Sequence, residues 1–246
     1  MKKCELKYVF SALVYSFLVL QLHSQVLDTT FQAPLPQKQG VATAIGVQPD
    51  GKIIVAGNIQ YYNEARVFGV LRLNTDGTRD TTFNFSSSAN QLLRKIEFLS
   101  TGEIIGITLN KLVKINANGA LLRTMDVEDN SDFVVDEDQI YLAGQSEFLK
   151  VNSDFQKVSQ FNQSNNFSGW VSEIEVQNGL VVVAGNFSEV NGEDYQDLAW
   201  FDKNGNLDRS FPKGNRTNET IRGMVVMEDG KLILYGIYYT SFDNIP

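Results

Sequence analysis

The chain has 246 residues, of which 43% are apolar, so it is long enough for one large all-β domain or two smaller domains with a sizeable core. Its formal net charge of −8 makes a surface that repels nucleic acid and anionic membranes. Cys4 is the single cysteine and His23 the single histidine, so thiol and imidazole chemistry has almost no residues to use.

Residues 1–24 have the layout of a secretory signal peptide. A basic start precedes an almost wholly apolar run over 8–22, and Ser24 provides a small residue before the expected cut at Gln25. A membrane anchor is the alternative, but spanning a bilayer takes about 20 apolar residues and this run has roughly 15. We therefore expect a protein that is secreted or lies at the cell surface, with no membrane insertion after signal removal.

The mature chain that remains would have neither cysteine nor histidine, and its formal net charge would be −10, from 18 basic and 28 acidic residues. Ser-His-Asp and Cys-His catalysis, zinc sites built on Cys or His, and disulfides are excluded, because each needs an imidazole or a thiol. We expect no cofactor, no metal ion and no nucleic-acid partner.

One pattern repeats along the mature chain: a turn, then a short β-branched strand that ends at or near a glycine. The copies are QPDGKIIVAG (48–57), STGEIIGITL (100–109), DEDQIYLAG (136–144), QNGLVVVAG (177–185) and EDGKLILYG (228–236). Their glycines lie 49, 38, 41 and 51 residues apart. Repeats of about 40 to 50 residues predict β-propeller blades, each a four-stranded antiparallel sheet.

The first copy also has the spacing of a phosphate-binding P-loop, with Gly46, four residues, and then Gly51-Lys52. A P-loop opens a helix, whereas this turn opens another strand. Ile53 also stands where a P-loop has the Ser or Thr that binds magnesium. The sequence therefore predicts a hairpin turn rather than a phosphate site.

Two further strands complete the pattern of a unit. An apolar run such as VATAIGV (41–47) precedes the turn and gives the first strand. A third strand with a second turn follows the glycine, as in VLRLNTDGTRDTTF (70–83) and LAWFDKNGNLDRSF (198–211). Asp-Gly and Asn-Gly in these second turns predict type I′ hairpins, since both residues can adopt positive φ. Helical periodicity is absent, so the predicted fold class is all-β.

QPDGKIIVAG together with LRLNTDGTRDTTF resembles the delta-60 repeat, a β-propeller repeat of secreted bacterial proteins. The fourth unit repeats the second half as FDKNGNLDRSF, and LDTTF (27–31) is similar to the end of an earlier unit. Units two and three have shorter connections after the glycine. The resemblance covers nearly all of the mature chain; it implies the fold and no particular activity.

Residues 25–246 are expected to form about four full blades and part of a fifth. The fifth unit stops ten residues after Gly236, inside a connection that takes 17 residues in units one and four. Because bare strand edges drive aggregation, a propeller is not expected to end there. We expect an open arc or incomplete propeller, or closure through LDTTF alone, with the missing C-terminal blades in the same polypeptide.

Two other groups of residues have simple structural interpretations. Asn74-x-Asp76-Gly77 and Asp202-x-Asn204-Gly205 suggest calcium loops, but a calcium loop of the EF-hand type has glycine at position 6 and a closing Glu at position 12. Hairpin turns explain them better. The phenylalanines that close several units are predicted to pack between adjacent blades; they are Phe31, Phe83, Phe161 and Phe211.

Tyrosines and acids collect in the loops after the second strands, which antiparallel order puts on the face opposite the tight hairpin turns. If a ligand site exists, we expect it there, because rings offer stacking area and carboxylates accept hydrogen bonds from a sugar or peptide. The candidate ligand-binding residues are Tyr61, Tyr62, Glu64, Glu193, Asp194, Tyr195, Tyr238 and Tyr239.

The leading interpretation is a secreted, non-enzymatic β-propeller that acts as a binding module for a glycan or protein ligand, or as a surface scaffold. The alternative is an extracellular glycan hydrolase whose catalytic carboxylates are loop acids such as Glu193 and Asp194, since two carboxylates at the right separation suffice. A chain this rich in acids forms such clusters by chance, so no catalytic residue is predicted.

Overall fold

The computed structural model describes residues 40–63, 65–85, 92–128, 131–144, 148–161, 164–210, 221–227 and 231–236. The chain separates into two compact units, 1–32 and 33–246, and all described residues belong to the second. The signal peptide predicted for 1–24 and the LDTTF strand therefore lie outside the described residues. Within the described ranges there are β-strands and no helix, which confirms the all-β prediction.

Antiparallel strands follow one another in five repeating units. Unit one contains β1 (Val41–Val47), β2 (Ile53–Asn58), β3 (Tyr61–Tyr62), β4 (Ala65–Arg66) and β5 (Val70–Leu73). Unit two contains β6 (Lys95–Phe98), β7 (Ile104–Ile107), β8 (Lys111–Ile115) and β9 (Leu121–Asp126), and unit three contains β10 (Asp132–Asp136), β11 (Gln139–Ala143) and β12 (Phe148–Val151). Unit four contains β13 (Trp170–Gln177), β14 (Leu180–Asn186), β15 (Glu189–Val190), β16 (Glu193–Asp194) and β17 (Leu198–Asp202), and unit five contains β18 (Ile221–Val226) and β19 (Leu232–Gly236).

Only unit two forms the predicted four-stranded sheet among the described residues, in the order β6-β7-β8-β9. In units one, three and four the fourth strand is a single bridge, between residues 73 and 79, 151 and 157, and 201 and 207. A side chain explains the early departure in unit one. The Asp80 carboxylate accepts hydrogen bonds from the Thr82 backbone N–H (2.9 Å) and hydroxyl (2.6 Å), which turns the chain away from the sheet.

The type I′ prediction for the second turns is wrong for Asp76-Gly77 and Asn204-Gly205. Only the glycine has positive φ in each pair, 84° and 79°. Each turn is therefore a type I turn followed by a left-handed glycine, the usual form of a three-residue hairpin loop. Type I′ geometry occurs instead in first turns, at Glu137-Asp138 (49° and 58°) and Asn178-Gly179 (52° and 82°).

A close backbone contact explains the glycine that ends the second strand in units one and four. A Cβ added at Gly57 would lie 2.0 Å from the Val41 carbonyl oxygen, and one at Gly185 would lie 2.2 Å from the Trp170 carbonyl oxygen. Both glycines lie next to a register shift between the first and second strands. The repeated glycine is therefore a requirement of strand pairing rather than of a ligand.

The hydrophobic core lies between neighbouring units. Separate clusters join units one and two, two and three, three and four, and four and five. Phe83 (2% exposed) and Phe161 (4% exposed) belong to two of these clusters, which confirms their predicted packing between adjacent units. Phe31 and Phe211 lie outside the described residues.

Candidate functional site

The connection after the second strand folds into a two-stranded ribbon in units one and four. β3 pairs with β4, and β15 pairs with β16. Asn63 (φ 47°) and Asn191 (φ 57°) take matching left-handed positions at the two tips. The same loop length thus gives the same structure in both units, and this structure positions most of the predicted site residues.

The ribbon of unit one carries one exposed and one anchored tyrosine. Tyr61 is 41% exposed. Tyr62 is partly buried, and its hydroxyl donates a 2.8 Å hydrogen bond to the Gly77 carbonyl oxygen. Tyr62 therefore contacts a hairpin turn, although the strand order predicted that these loops lie on the opposite face. Glu64, Tyr238 and Tyr239 lie outside the described residues.

The ribbon of unit four presents acids and buries its tyrosine. Glu193 forms an ion pair with Arg209, whose Nε lies 3.0 and 3.1 Å from its two carboxylate oxygens. Asp194 is exposed and accepts a 3.1 Å hydrogen bond from Gln196. Tyr195 is 0% exposed and packs in the core between units three and four, so the structure does not present its ring to a ligand.

The burial of Tyr195 has a signal in the sequence, because units one and four align without gaps after the glycine. Tyr195 occupies the position of Val67, which is also buried. An apolar residue at the same position of the sister unit indicates an inward side chain. The position of Tyr195 in a loop does not by itself show whether its side chain is exposed or buried.

A pocket of about 390 Å³ opens beside the ribbon of unit one. Its walls include Tyr61 of β3, Arg66 of β4, and the backbone of Gly57 and Gly69. Three exposed apolar side chains line it: Tyr61 (41% exposed), Phe68 (44%) and Leu92 (44%). Pockets of about 300 to 1,000 Å³ hold small ligands in proteins, so this one has room for a sugar or a peptide side chain.

Arg66 supplies the charge of this pocket. Its guanidinium carbon lies 5.1 Å from the centroid of the Phe68 ring, which is cation–π distance. The stacking holds a guanidinium next to aromatic surface, where its N–H groups can donate to a carboxylate or hydroxyl group. The sequence did not predict Arg66, Phe68 or Leu92 as residues of this pocket. Leu92 precedes unit two, and only the fold brings it to the pocket.

The acids in the calcium-like sequences serve the turns instead. The Asp76 carboxylate accepts hydrogen bonds from the Thr78 backbone N–H (2.9 Å) and hydroxyl (2.6 Å). Asp80 is buried and pairs with Arg72 (2.9 Å) and Lys52 (3.0 Å). Across the described part of the chain, no group of three or more His, Cys, Asp or Glu residues could hold a metal ion.

A second group of charges lies on the first strands of units two, three and four. The Lys95 ammonium is 3.1 Å from Asp132 and 3.6 Å from Glu97, and it also interacts electrostatically with Glu175. Glu173 interacts electrostatically with Asp132, Lys95 and Glu175. We call these five residues the axial cluster. Sequence reasoning missed it, because its members come from three separate units.

The axial cluster links strands and shifts carboxyl pKa values upwards. Asp132 accepts a 3.1 Å hydrogen bond from the Ile174 backbone N–H, and Glu97 accepts one of 2.6 Å from Val135. Burial raises the pKa of Glu97 to about 7, against the opposing charge of Lys95. Burial, reinforced by the negative charge of Asp132, raises the pKa of Glu173 to about 7. Such a carboxyl can hold or release a proton near neutral pH.

Comparison with known proteins gives matches at the level of the fold. The family model described as "Domain of unknown function (DUF5122) beta-propeller" matches residues 48–83 and 177–211, which belong to units one and four. A search of curated proteins found no match. The described residues contain no helix long and apolar enough to cross a membrane.

Three solved structures are similar to the chain over about four fifths of its length. The computationally designed Ika8 protein has a TM-score of 0.56 and 10% identity, with 81% of this chain and 59% of Ika8 covered. The extracellular domain of the hybrid two component system BT3049 from Bacteroides thetaiotaomicron has a TM-score of 0.54 and 14% identity, with 80% and 26% covered. The extracellular domain of the one component system BT4673 from the same organism has a TM-score of 0.52 and 14% identity, with 78% and 24% covered.

The chain thus spans about a quarter of the two Bacteroides chains and 59% of the designed one. At these identities the similarity concerns the fold alone. Repeating antiparallel units, cores between adjacent units and a β-propeller family model all agree. The chain is a β-propeller protein.

Proposed function

We propose that the chain is an extracellular, non-enzymatic binding module built from delta-60 repeats, and that the pocket beside β3 and β4 binds a glycan. The family model matches the same two units that resemble the delta-60 repeat, which supports the repeat assignment. The signal-like residues 1–24 support export. Two similar structures are extracellular domains, which agrees with that location.

The proposal rests on the exposed rings of Tyr61 and Phe68, which line a pocket beside a hydrogen-bonded ribbon. Val67 donates to the Gln60 carbonyl oxygen (2.9 Å) and Gly69 donates to that of Ile59 (3.0 Å), so the ribbon backbone is held in place. Tyr61 and Phe68 therefore present their rings at little cost in conformational entropy. A sugar ring has an apolar C–H face that packs on such rings, and its hydroxyl groups pair with polar atoms at the edge.

Arg66 suggests which glycans bind best. A guanidinium forms paired hydrogen bonds with a carboxylate, which an ammonium or a hydroxyl group cannot match. We therefore expect sugars that carry a carboxylate, such as uronic acids, to bind more tightly than neutral sugars of the same size.

A glycan array that also carries peptides tests the proposal. We expect glycan binding by the wild type and a loss of about tenfold or more in Tyr61→Ala and in Phe68→Ala. Trp170→Ala is the matched control, because Trp170 is 50% exposed and does not line the pocket. Equal losses in all three variants would contradict the pocket assignment. Peptide binding without glycan binding would change the ligand class, and no binding at all would favour a scaffold.

A glycan hydrolase is the second candidate, and the axial cluster favours it more than the loop acids do. Glu193 is held by Arg209, whereas Glu97 and Glu173 have the raised pKa of a general acid. Turnover on a panel of extracellular glycans would establish activity. Loss of turnover in Glu97→Gln or Glu173→Gln, with Glu193→Gln and Asp194→Asn unaffected, would assign it to the axial cluster. Absence of turnover supports the binding module.

A further inference from the structure

The wall of the pocket continues beyond Leu92 along the segment that begins unit two. Leu92 lines the pocket and is 44% exposed, Leu93 is 0% exposed in the core between units one and two, and Arg94 is half-buried. The Leu93 carbonyl oxygen accepts a hydrogen bond from the Thr43 hydroxyl, so unit one holds this segment in place. A fixed surface therefore leads from the pocket to Arg94.

An exposed leucine of unit two lies beside this segment. The Arg94 backbone N–H donates to the Ile107 carbonyl oxygen (2.7 Å), and the Arg94 Nε donates to the Thr108 carbonyl oxygen (3.0 Å). Leu109 follows directly in the chain and is 53% exposed. Leu109 and Arg94 therefore lie at the same edge of unit two as Leu92, and we call these two residues the pocket extension.

Arg94 has more hydrogen-bond donors than the fold uses. Its Nη2 donates to the Ser131 carbonyl oxygen of unit three (3.0 Å). Units one and four have hydroxyl residues, Thr43 and Ser172, at the corresponding place before the first strand regains its register. Each of these hydroxyls also donates to a backbone carbonyl oxygen of the next unit. One hydroxyl is therefore enough for the link between units, and Arg94 adds a guanidinium with five N–H groups.

The charges of this surface favour an acidic ligand. Neither Arg66 nor Arg94 has a carboxylate partner among the residues that the structure describes, although the chain has a formal net charge of −8. Each guanidinium stands beside exposed apolar surface, Arg66 at Phe68 and Arg94 near Leu109. Apolar surface and guanidinium thus occur twice in succession, at the pocket and at the pocket extension.

A chain of acidic sugars matches this arrangement, because each ring brings an apolar C–H face and a carboxylate. We propose that the ligand is an acidic oligosaccharide rather than a single sugar. One ring occupies the pocket with its carboxylate at Arg66, and the next ring packs on Leu109 with its carboxylate at Arg94. This assignment rests on the glycan binding proposed for the pocket.

Calorimetric titration with galacturonic acid and with its dimer tests the pocket extension. We expect the dimer to bind the wild type about tenfold more tightly, because its second carboxylate gains charge-assisted hydrogen bonds. Arg94→Thr, which keeps the type of link that Thr43 makes, and Leu109→Ala should each remove most of this gain and leave the affinity for the monomer unchanged. Leu122→Ala is the matched control, because Leu122 is similarly exposed (51%) but lies on β9 and does not line the pocket. Circular dichroism checks that every variant is folded.

Tyr61→Ala separates the pocket from its extension, because it should weaken the binding of monomer and dimer alike. If Tyr61→Ala weakens binding but the wild type binds monomer and dimer equally well, the pocket assignment stands and the extension is wrong. A gain that survives in both Arg94→Thr and Leu109→Ala would also overturn the extension. Tighter binding of a glutamate dipeptide than of the sugar dimer would assign the surface to acidic peptides instead. Absence of binding by monomer and dimer would overturn both the extension and the proposed function.

Discussion

At the scale of single residues, the clearest feature is the buried charge network around Asp80. Its carboxylate pairs with Arg72 and Lys52, and Arg72 also donates to the Ala117 carbonyl oxygen (2.7 Å) in unit two. Burial works against ionisation, but the hydrogen bonds from Thr82 and Lys52 and the charge of Arg72 hold the Asp80 pKa well below its usual range. Arg72 therefore joins unit one to unit two, and the Asp80 carboxylate supplies its counter-charge.

Replacing this carboxylate should be costly. We expect Asp80→Asn to lower the free energy of unfolding by about 3 kcal/mol at pH 7, because it leaves the buried Arg72 without its counter-charge. Denaturant unfolding measures the change. Asp208→Asn is the control, since Asp208 is the equivalent residue in unit four but Trp200 stands there in place of Arg72. We expect it to cost about 1 kcal/mol, and equal losses in the two variants would contradict the role of the network.

Several residue placements could be predicted from the sequence, and others could not. Phe83 and Phe161 were predictable, because a large apolar residue that recurs at the end of each unit has few places other than the core. The burial of Tyr195 could be predicted only by aligning it with Val67 of unit one, because its loop position alone suggested exposure. Lys95 and Glu97 alternate on an ordinary strand, and nothing nearby in the sequence shows that Asp132 and Glu173 will face them.

At the scale of the strands, the sequence predicted the turns and the pairing positions better than the number of strands. The turn at Pro49-Asp50-Gly51 and the strand β2 that follows it match the sequence pattern. The number of fourth strands was overestimated, and in unit one this is because Asp80 turns the chain after one bridge. The second turns were assigned to the wrong type, since Asp-Gly serves both type I′ turns and type I turns that end in a left-handed glycine.

The glycine at the end of β2 gives a test at this scale. We expect Gly57→Ala to lower the free energy of unfolding by about 2 to 3 kcal/mol, because the added Cβ would overlap the Val41 carbonyl oxygen and force β1 and β2 apart. Gly192→Ala is the control, since Gly192 also has positive φ (75°) but has no atom within 4 Å of an added Cβ. It should cost about 1 kcal/mol from backbone strain alone. Thermal unfolding of both variants separates crowding from strain, and equal costs would refute the close-contact explanation.

At the scale of the whole molecule, each unit depends on its neighbours, because the apolar clusters and the axial cluster all lie between units. Units one and four, with gap-free loops and matching turns, made the repeat visible in the sequence. Which parts of the chain line the pocket was not visible in the sequence, since the pocket combines unit one with Leu92 from the segment before unit two.

The axial cluster should set the pH dependence of stability near neutrality. Glu173 has a pKa of about 7 in the folded chain against 4.5 for an unperturbed glutamate, so between these values the folded state holds a proton that the unfolded state has released. Stability should therefore fall as pH rises from 4.5 to 7. Glu173→Gln should reduce the slope of the unfolding free energy against pH, and Glu97 should maintain part of that slope. Denaturant unfolding at several pH values measures it, with the exposed Glu189→Gln as control; an unchanged slope in Glu173→Gln would contradict the raised pKa.

We propose that this propeller binds a glycan in the pocket beside β3 and β4. A crystal structure of the chain with the tightest-binding glycan from the array tests it most directly. We expect a sugar ring packed on Tyr61 or Phe68, with a carboxylate or hydroxyl group within hydrogen-bond distance of Arg66. A glycan bound at the axial cluster, with the unit-one pocket empty, would contradict it.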